Sequence, residues 1–206
     1  MDVAELVGLV GAKRASVLAE RVGEAGAAFE AERFGEARRV LKAIVEEVPA
    51  AATPRELYGL TLYRLGRYRD AAAELEQFRV LAGDSTEQHP VLADCYRALR
   101  RFKAVDELWD ELREASPSAS LVTEGRIVVA GSLADRGRLA DAVRLLERGW
   151  RPPKRPAEHH LRRAYALGDL YERAGDLPRA RATFGWIVGH DRELADAADR
   201  LVALGS

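Results

Sequence analysis

An aromatic residue or leucine followed three residues later by a small residue recurs five times along the chain: Phe34 and Ala37, Tyr68 and Ala71, Phe102 and Val105, Leu139 and Ala142, Leu177 and Ala180. Successive occurrences lie 34, 34, 37 and 38 residues apart. A period of this length suits a helix-turn-helix unit that buries its apolar face only against its neighbours, which restricts the chain to a stack of such units. Just before each pair stand Glu32-Arg33, Gly66-Arg67, Arg100-Arg101, Gly137-Arg138 and Gly175-Asp176, and these predict the turns between paired helices. Seven residues beyond each aromatic or leucine comes a bulky residue: Leu41, Leu75, Trp109, Leu146 and Phe184. Upstream of each turn lies a small one, Ala25, Gly59, Ala93, Ala130 or Gly168. Antiparallel helices approach to about 8–10 Å only where facing side chains are small, so the bulky residues are expected to fill the space that remains.

Local signals agree with helices. Thr53, Pro54 and Glu56 read as an N-cap, a first-turn proline and a capping-box partner, and Ser85 with Gln88 as a second cap. Pro90 and Pro178 fall near helix starts, where a missing N–H costs little. From Arg192 to Leu204, Leu194, Ala197, Ala198 and Leu201 form one stripe opposite Asp196, Asp199 and Arg200, which predicts a capping helix over residues 192–204. At the other end Val3, Leu6, Val7 and Val10 form a short stripe that either caps the first unit or meets another subunit.

These residues resemble the tetratricopeptide repeat (TPR) family, whose unit of 34 residues carries Leu-Gly, a tyrosine, an alanine and a closing proline at fixed offsets. Leu167-Gly168, Tyr171, Gly175 and Ala180 match best, followed by Tyr58-Gly59, Leu62, Gly66, Tyr68 and Ala71. The tiling is 18–51, 52–85, 86–119, 123–156 and 161–194, closed by Pro49 and Pro117 in two units and by Gly83, Lys154 and Arg192 at the equivalent places of the others. The first unit departs most, with Glu24 for leucine and Ala28 for tyrosine, and the fourth carries Gly149 in its second helix. The expected fold is all-α, a right-handed helical solenoid of about five TPR-like repeats with a C-terminal capping helix.

Composition bounds the rest. A length of 206 residues with 48% hydrophobic residues suits one domain spanning 1–206. Lys plus Arg is 32 against 33 for Asp plus Glu, which excludes a generally basic nucleic-acid coat and a strongly acidic tail. The 36 alanines and the absence of asparagine favour helix over hairpin turns. A single cysteine, Cys95, excludes an internal disulfide and points to a reducing compartment, the cytoplasm. In the start, Met1 to Gly11, the acids Asp2 and Glu5 come ahead of the uncharged stretch Leu6 to Ala12 and the bases Lys13 and Arg14 after it, the reverse of an export signal's charge order, and that stretch is far short of the ~20 residues that span a bilayer.

Catalytic and metal chemistry finds no residues to rest on. His159 and His160 are neighbours, pointing ~100° apart on a helix, and no His-Glu-x-x-His, phosphate loop, Gly-x-Gly-x-x-Gly or Gly-x-Ser-x-Gly pattern occurs. No cofactor, metal or enzyme activity is expected, and Cys95 reads as buried packing. The most charged stretch runs from Arg148 to Arg163, with Arg148, Arg151, Lys154, Arg155, Arg162 and Arg163 against Glu158 and with Trp150 interleaved. An RNA or DNA contact there competes with a solvated connector through Pro152, Pro153 and Pro156, and the connector is favoured because one basic stretch on a neutral chain is a small footprint.

The TPR resemblance implies a concave face lined by first helices that accepts a protein or peptide segment. By offset, that face holds Val22, Phe29, Glu56, Leu60, Tyr63, Arg64, Asp94, Arg97, Ile127, Asp135, Tyr165, Asp169 and Glu172. The carboxylate clamp of some TPR proteins is not expected, since asparagine is absent and acids match bases. Tyr63 and Arg97 share one offset in adjacent units and are expected side by side, with Asp94 one helical step from Arg97. The expected function is a non-enzymatic adaptor holding a partner segment, with nucleic-acid association or a homo-oligomeric assembly as alternatives.

Overall fold

The computed structural model describes residues 3–205. Among the described residues there are twelve α-helices and no strand. They are α1 (Val3–Val10), α2 (Ala12–Glu30), α3 (Phe34–Glu47), α4 (Ala52–Arg64), α5 (Tyr68–Leu81) and α6 (His89–Ala98). There follow α7 (Phe102–Ala115), α8 (Ala119–Asp135), α9 (Leu139–Glu147), α10 (Glu158–Arg173), α11 (Leu177–Val188) and α12 (Ala197–Ala203).

Each recurring aromatic or leucine is the first residue of a second helix: Phe34, Tyr68, Phe102, Leu139 and Leu177 open α3, α5, α7, α9 and α11. Two residues earlier the backbone is left-handed in all five turns, with φ of 58° at Glu32, 70° at Gly66, 58° at Arg100, 75° at Gly137 and 76° at Gly175. The next N–H then reaches back to a helix carbonyl: Arg33 to Ala28 (2.8 Å), Arg67 to Leu62 (2.9 Å), Arg101 to Tyr96 (2.8 Å), Arg138 to Leu133 (2.9 Å) and Asp176 to Tyr171 (2.9 Å). This Schellman closure satisfies carbonyls that the helix end leaves unpaired. Three turns use glycine for it, whereas Glu32 and Arg100 hold the same conformation at a cost of about 1–2 kcal/mol each.

The chain divides into two compact units, Met1–Ala104 and Val105–Ser206. In the first, α1 packs on α2, and each helix from α2 to α5 packs on the next. Leu6, Ala15, Leu18, Val22, Ile44, Val48 and Ala51 form one buried cluster there. A Cβ at Gly59 would stand 2.7 Å from Leu75 Cδ2, so glycine lets α4 and α5 meet. In the second unit α10 packs against α8, α9 and α11, and α12 against α11. Its core includes Ala130, Leu146, Leu167, Tyr171, Phe184 and Ile187, and a Cβ at Gly168 would stand 2.9 Å from Phe184 Cζ.

All five predicted small residues are buried, as are Leu41, Leu75, Leu146 and Phe184. Trp109 is a correction: it is only half-buried, and Leu108 and Leu112 carry the inner face of α7. The side chains of Leu112 and Trp109 crowd Gly125 of α8, so this glycine allows α8 its close approach. Helix limits differ from the tiling at several ends. The first unit begins with α2 at Ala12, and the fourth begins with α8 at Ala119, where the Ser118 hydroxyl accepts from Leu121 N (3.1 Å). Gly149, with φ of 70°, lies beyond the end of α9 at Glu147.

The capping helix is shorter than 192–204, because left-handed Ala195 (φ 47°) and the Asp191 carboxylate accepting from Glu193 N (3.0 Å) hold the preceding residues in turns. Thr53 is not an N-cap: α4 starts at Ala52, and the Glu5 carboxylate of α1 accepts from the N–H groups of Ala52 and Thr53. Ser85 accepts from Glu87 N (3.3 Å) within a turn rather than capping α6, which starts at His89. Pro90 and Pro178 do sit in first turns. The N-terminal stripe caps the first unit through Leu6, which is 1% exposed, and Val10 packs beside it, whereas Val7 faces outward and the Val3 side chain lies outside the described ones. Met1 and Asp2, which entered the export-signal expectation, also lie outside the described residues.

Candidate functional site

In the first unit Val22, Gly26, Thr53, Glu56, Leu57 and Leu60 line a groove of about 400 Å³ between α2 and α4. Val22 forms its buried floor, and Leu60 is half-buried at its side. Glu56 does not act as a cap partner; its Oε1 accepts from Gln88 Nε2 (2.8 Å). Burial first, then the nearby Glu87 charge, raises the Glu56 pKa against the lowering effect of that hydrogen bond.

Beyond the groove, Phe29 at the end of α2 meets Phe34 edge-on, with ring centres 5.3 Å apart. The Arg64 guanidinium lies 4.5 Å from the Phe34 ring centre and pairs with Glu32 at 3.0 Å. Tyr63 donates its hydroxyl proton to Asp94 Oδ2 (2.7 Å), and the other oxygen of Asp94 accepts from Arg97 (3.1 Å). Tyr63 and Arg97 are thus joined through Asp94, and burial followed by the Asp94 bond raises the Tyr63 pKa. Cys95, behind them, is fully buried, and burial pushes its thiol up to about 12, which leaves it without nucleophilic character at neutral pH.

In the second unit part of the predicted face, Tyr165, Asp169 and Glu172, is engaged by residues of the C-terminal segment. Arg200 of α12 donates to Asp169 (3.0 Å) and Glu172 (2.7 Å) and lies 4.6 Å from the Phe184 ring centre. Burial alone would lower the Arg200 pKa, but hydrogen bonds to Glu172, Tyr165 and Asp169 raise it above its ordinary value. Tyr165 donates to Asp196 Oδ1 (2.5 Å). Ile127 is half-buried against the core of this unit, and Asp135 is exposed at the end of α8.

The basic stretch 148–163 does not behave as one solvated connector. Arg163 is 8% exposed, donates to the carbonyls of Leu146 (2.6 and 3.0 Å) and Arg148 (2.8 Å), and stacks 5.1 Å from the Trp150 ring centre. It thereby satisfies carbonyls that the end of α9 leaves open. Arg162 pairs with Glu124 (2.8 Å), while Arg151, Lys154 and Arg155 remain exposed. Trp150 packs edge-on against Trp186, 5.8 Å between centres, which ties the connector to the core. His160 accepts from Ala157 N through Nδ1 (3.1 Å) and so caps α10. No group of residues able to hold a metal occurs among the described residues.

Sequence reasoning did not find Arg55, 3% exposed, which donates to Glu74 and to the Pro49 carbonyl (2.8 Å) past the end of α3. Nor did it find Arg126, whose Nε is buried. A single arginine at a core-facing helical position is the only sequence signal either carries.

No described protein family and no curated protein matches the sequence. Solved structures do. A thermophilic TPR protein of Thermus thermophilus superposes with a TM-score of 0.69 at 16% identity, over 91% of this chain and 98% of that one. The C-terminal part of a TPR repeat-containing protein from Cytophaga hutchinsonii gives 0.62 at 12% identity, over 89% and 69%. MamA gives 0.57 at 18% identity, over 86% and 96%. Among the described residues no helix is long and apolar enough to cross a membrane. With its five Schellman-closed turns and these structural neighbours, the chain has the tetratricopeptide-repeat fold.

Proposed function

We propose that the protein is a non-enzymatic adaptor that holds an extended or helical segment of a partner protein against the first helices of its N-terminal unit. The observation that carries this reading is the groove between α2 and α4, where an apolar floor and wall, Val22, Leu57 and Leu60, are edged by Glu56 and Thr53. Such a surface offers burial for apolar side chains and polar partners at its edge, the pattern by which helical grooves take up a segment. Phe29 and Arg64 extend the same side of the unit with aromatic and guanidinium contact area, the residue types that dominate interface energetics. The TPR fold of the structural neighbours supports the reading.

The test is affinity capture with wild-type chain, Leu60→Glu, and Val80→Glu as a control on the outer surface of α5, where Val80 is 70% exposed. A specific partner should be retained by wild type and Val80→Glu and lost by Leu60→Glu, with unchanged circular dichroism in all three. Retention by Leu60→Glu at wild-type affinity would remove the groove as the binding site.

A further inference from the structure

In the second unit a cavity of about 390 Å³ opens between the N-terminal halves of α8 and α10. Arg126, Arg163, His159, His160, Thr123 and Ser116 line it, and none of its lining residues is acidic. Two guanidinium groups and two imidazoles therefore face one space without a counter-charge. The acids on the same helix turns, Glu124 and Glu158, are both held by Arg162, at 2.8 and 3.9 Å. Arg148, on the connector, presents its carbonyl to Arg126 and Arg163, and its own charge adds to the repulsion on Arg126.

Arg163 commits Nε and Nη2 to backbone carbonyls. Arg126 is different: it makes one long bond, Nη1 to the Arg148 carbonyl at 3.5 Å, and its Nε is buried with no acceptor. That Nε has no exposed surface and is not reached from the cavity, whereas Arg126 Nη2 has no hydrogen-bond partner among the described residues and is the donor left to meet a ligand. Burial and the Arg126 charge lower the Arg163 pKa to about 10, and burial with His159 and Arg163 lowers that of His160. Because His160 Nδ1 accepts from Ala157, Nε2 carries the proton of the neutral ring and is the donor. The positive ends of α8 and α10 act in the same direction.

We propose that this cavity binds a phosphate monoester group, with Arg126 as its principal hydrogen-bond donor. Two guanidinium groups and two imidazoles around one half-open cavity match a dianion with several terminal oxygens, whereas a carboxylate or a phosphodiester supplies a single negative charge. The exposed Arg151, Lys154 and Arg155 lie outside the lining, so the site is a pocket for one group rather than a track along a polymer. The monoester belongs to a small metabolite or to a phosphorylated side chain, two sources that share this chemistry.

The experiment is a titration of the full chain, followed by calorimetry and by imidazole proton resonances. Its probes are phenyl phosphate, a short phosphoserine peptide, acetate and a single-stranded oligoribonucleotide without terminal phosphate. Phenyl phosphate should bind and raise the His160 pKa, and Arg126→Leu should weaken it on the order of tenfold to a hundredfold with unchanged circular dichroism. Arg126→Lys should restore part of the affinity, and Arg155→Leu should leave it unchanged. Equal or tighter binding of the phosphopeptide assigns the source to a protein side chain, and weaker binding assigns it to a small molecule; either supports the site. No response to phenyl phosphate, an equal response to acetate, tighter binding of the oligoribonucleotide, or full affinity in Arg126→Leu each overturns the proposal.

Discussion

The Tyr63 hydroxyl donates to Asp94 Oδ2 at 2.7 Å and joins α4 to α6, the first helices of adjacent repeats. The same relation recurs three repeats on, where Tyr165 of α10 donates to Asp196 at the start of α12 (2.5 Å). A second relation is also repeated: Tyr96 donates to Glu76 and Tyr171 to Glu147, each at 2.7 Å, from a first helix to the preceding second helix. Repeats in this chain are thus joined by tyrosine–carboxylate bonds as well as by apolar packing. Such a bond exists only in the folded chain and, being made to a charged acceptor, is worth more than a neutral one.

Removing the Tyr63 hydroxyl is therefore expected to destabilise the protein. Tyr63→Phe keeps the ring packed edge-on against Tyr68, 6.0 Å between centres, and leaves Asp94 bonded to Arg97. The expected loss is about 1.5 kcal/mol, read from urea or thermal unfolding. An unchanged unfolding midpoint would show that Asp94 finds an equivalent partner in water. For the same reason Tyr63 is a poor probe of partner binding, and Leu60 serves that purpose better.

Gly168→Ala should destabilise by about 1–3 kcal/mol although alanine favours helix, because its Cβ would stand 2.9–3.2 Å from three ring atoms of fully buried Phe184. Gly23→Ala is the matched control, also inside a helix but with no neighbour within 4 Å of the added carbon. It should stabilise by about 0.5–1 kcal/mol. Paired melting curves check both signs.

Arg100 holds a left-handed conformation that three of the other turns assign to glycine. Arg100→Gly should raise stability by about 0.5 kcal/mol, the relief of left-handed strain exceeding the greater freedom of glycine in the unfolded chain and the loss of the contact with the Phe102 ring. Gly137→Ala, the reverse change at the equivalent position, should lower stability by about 1 kcal/mol. A destabilised Arg100→Gly would mean that the contact with Phe102 outweighs the strain.

Glu56 supplies a pH dependence of definite sign. Its pKa is raised in the folded chain, chiefly by burial, so its contribution to stability is full below the ordinary glutamate range and is lost as pH rises through the folded value. Glu56→Gln keeps a carbonyl acceptor for Gln88 and removes the buried charge. The variant should be more stable than wild type near neutral pH, by about 0.5 kcal/mol, and the difference should close as pH falls. Melting temperatures of the two proteins across this range are the check; a gap that widens in acid would reverse the assignment.

Helices, their pairing and the points where they touch are written in the order of residues alone. Phe34, Tyr68, Phe102, Leu139 and Leu177 are predictable starts of second helices because apolar spacing and turn residues act over a few positions, and a helix repeats its face every 3.6 residues. Gly59 and Gly168 are legible for the same reason: a glycine at a fixed offset from a bulky partner marks a close approach. Helix ends are less legible, since they depend on remote groups; the carboxylate of Glu5 sets the start of α4 from 47 residues away. Of the predicted binding face, Leu60 and Glu56 do line a groove, whereas Asp169 and Glu172 are taken up by Arg200 of α12.

Pairings such as these are settled by the packing of the helices. The chain carries 32 basic and 33 acidic residues, nearly all able to pair on composition alone, and a partner is chosen by which side chains the stacking of helices brings within about 3 Å. Arg163 turns inward onto the end of α9 while Arg155 stays in water, and Arg126 is left with a buried donor beside an open cavity. Those outcomes depend on distances across the fold, which no local pattern of residues encodes.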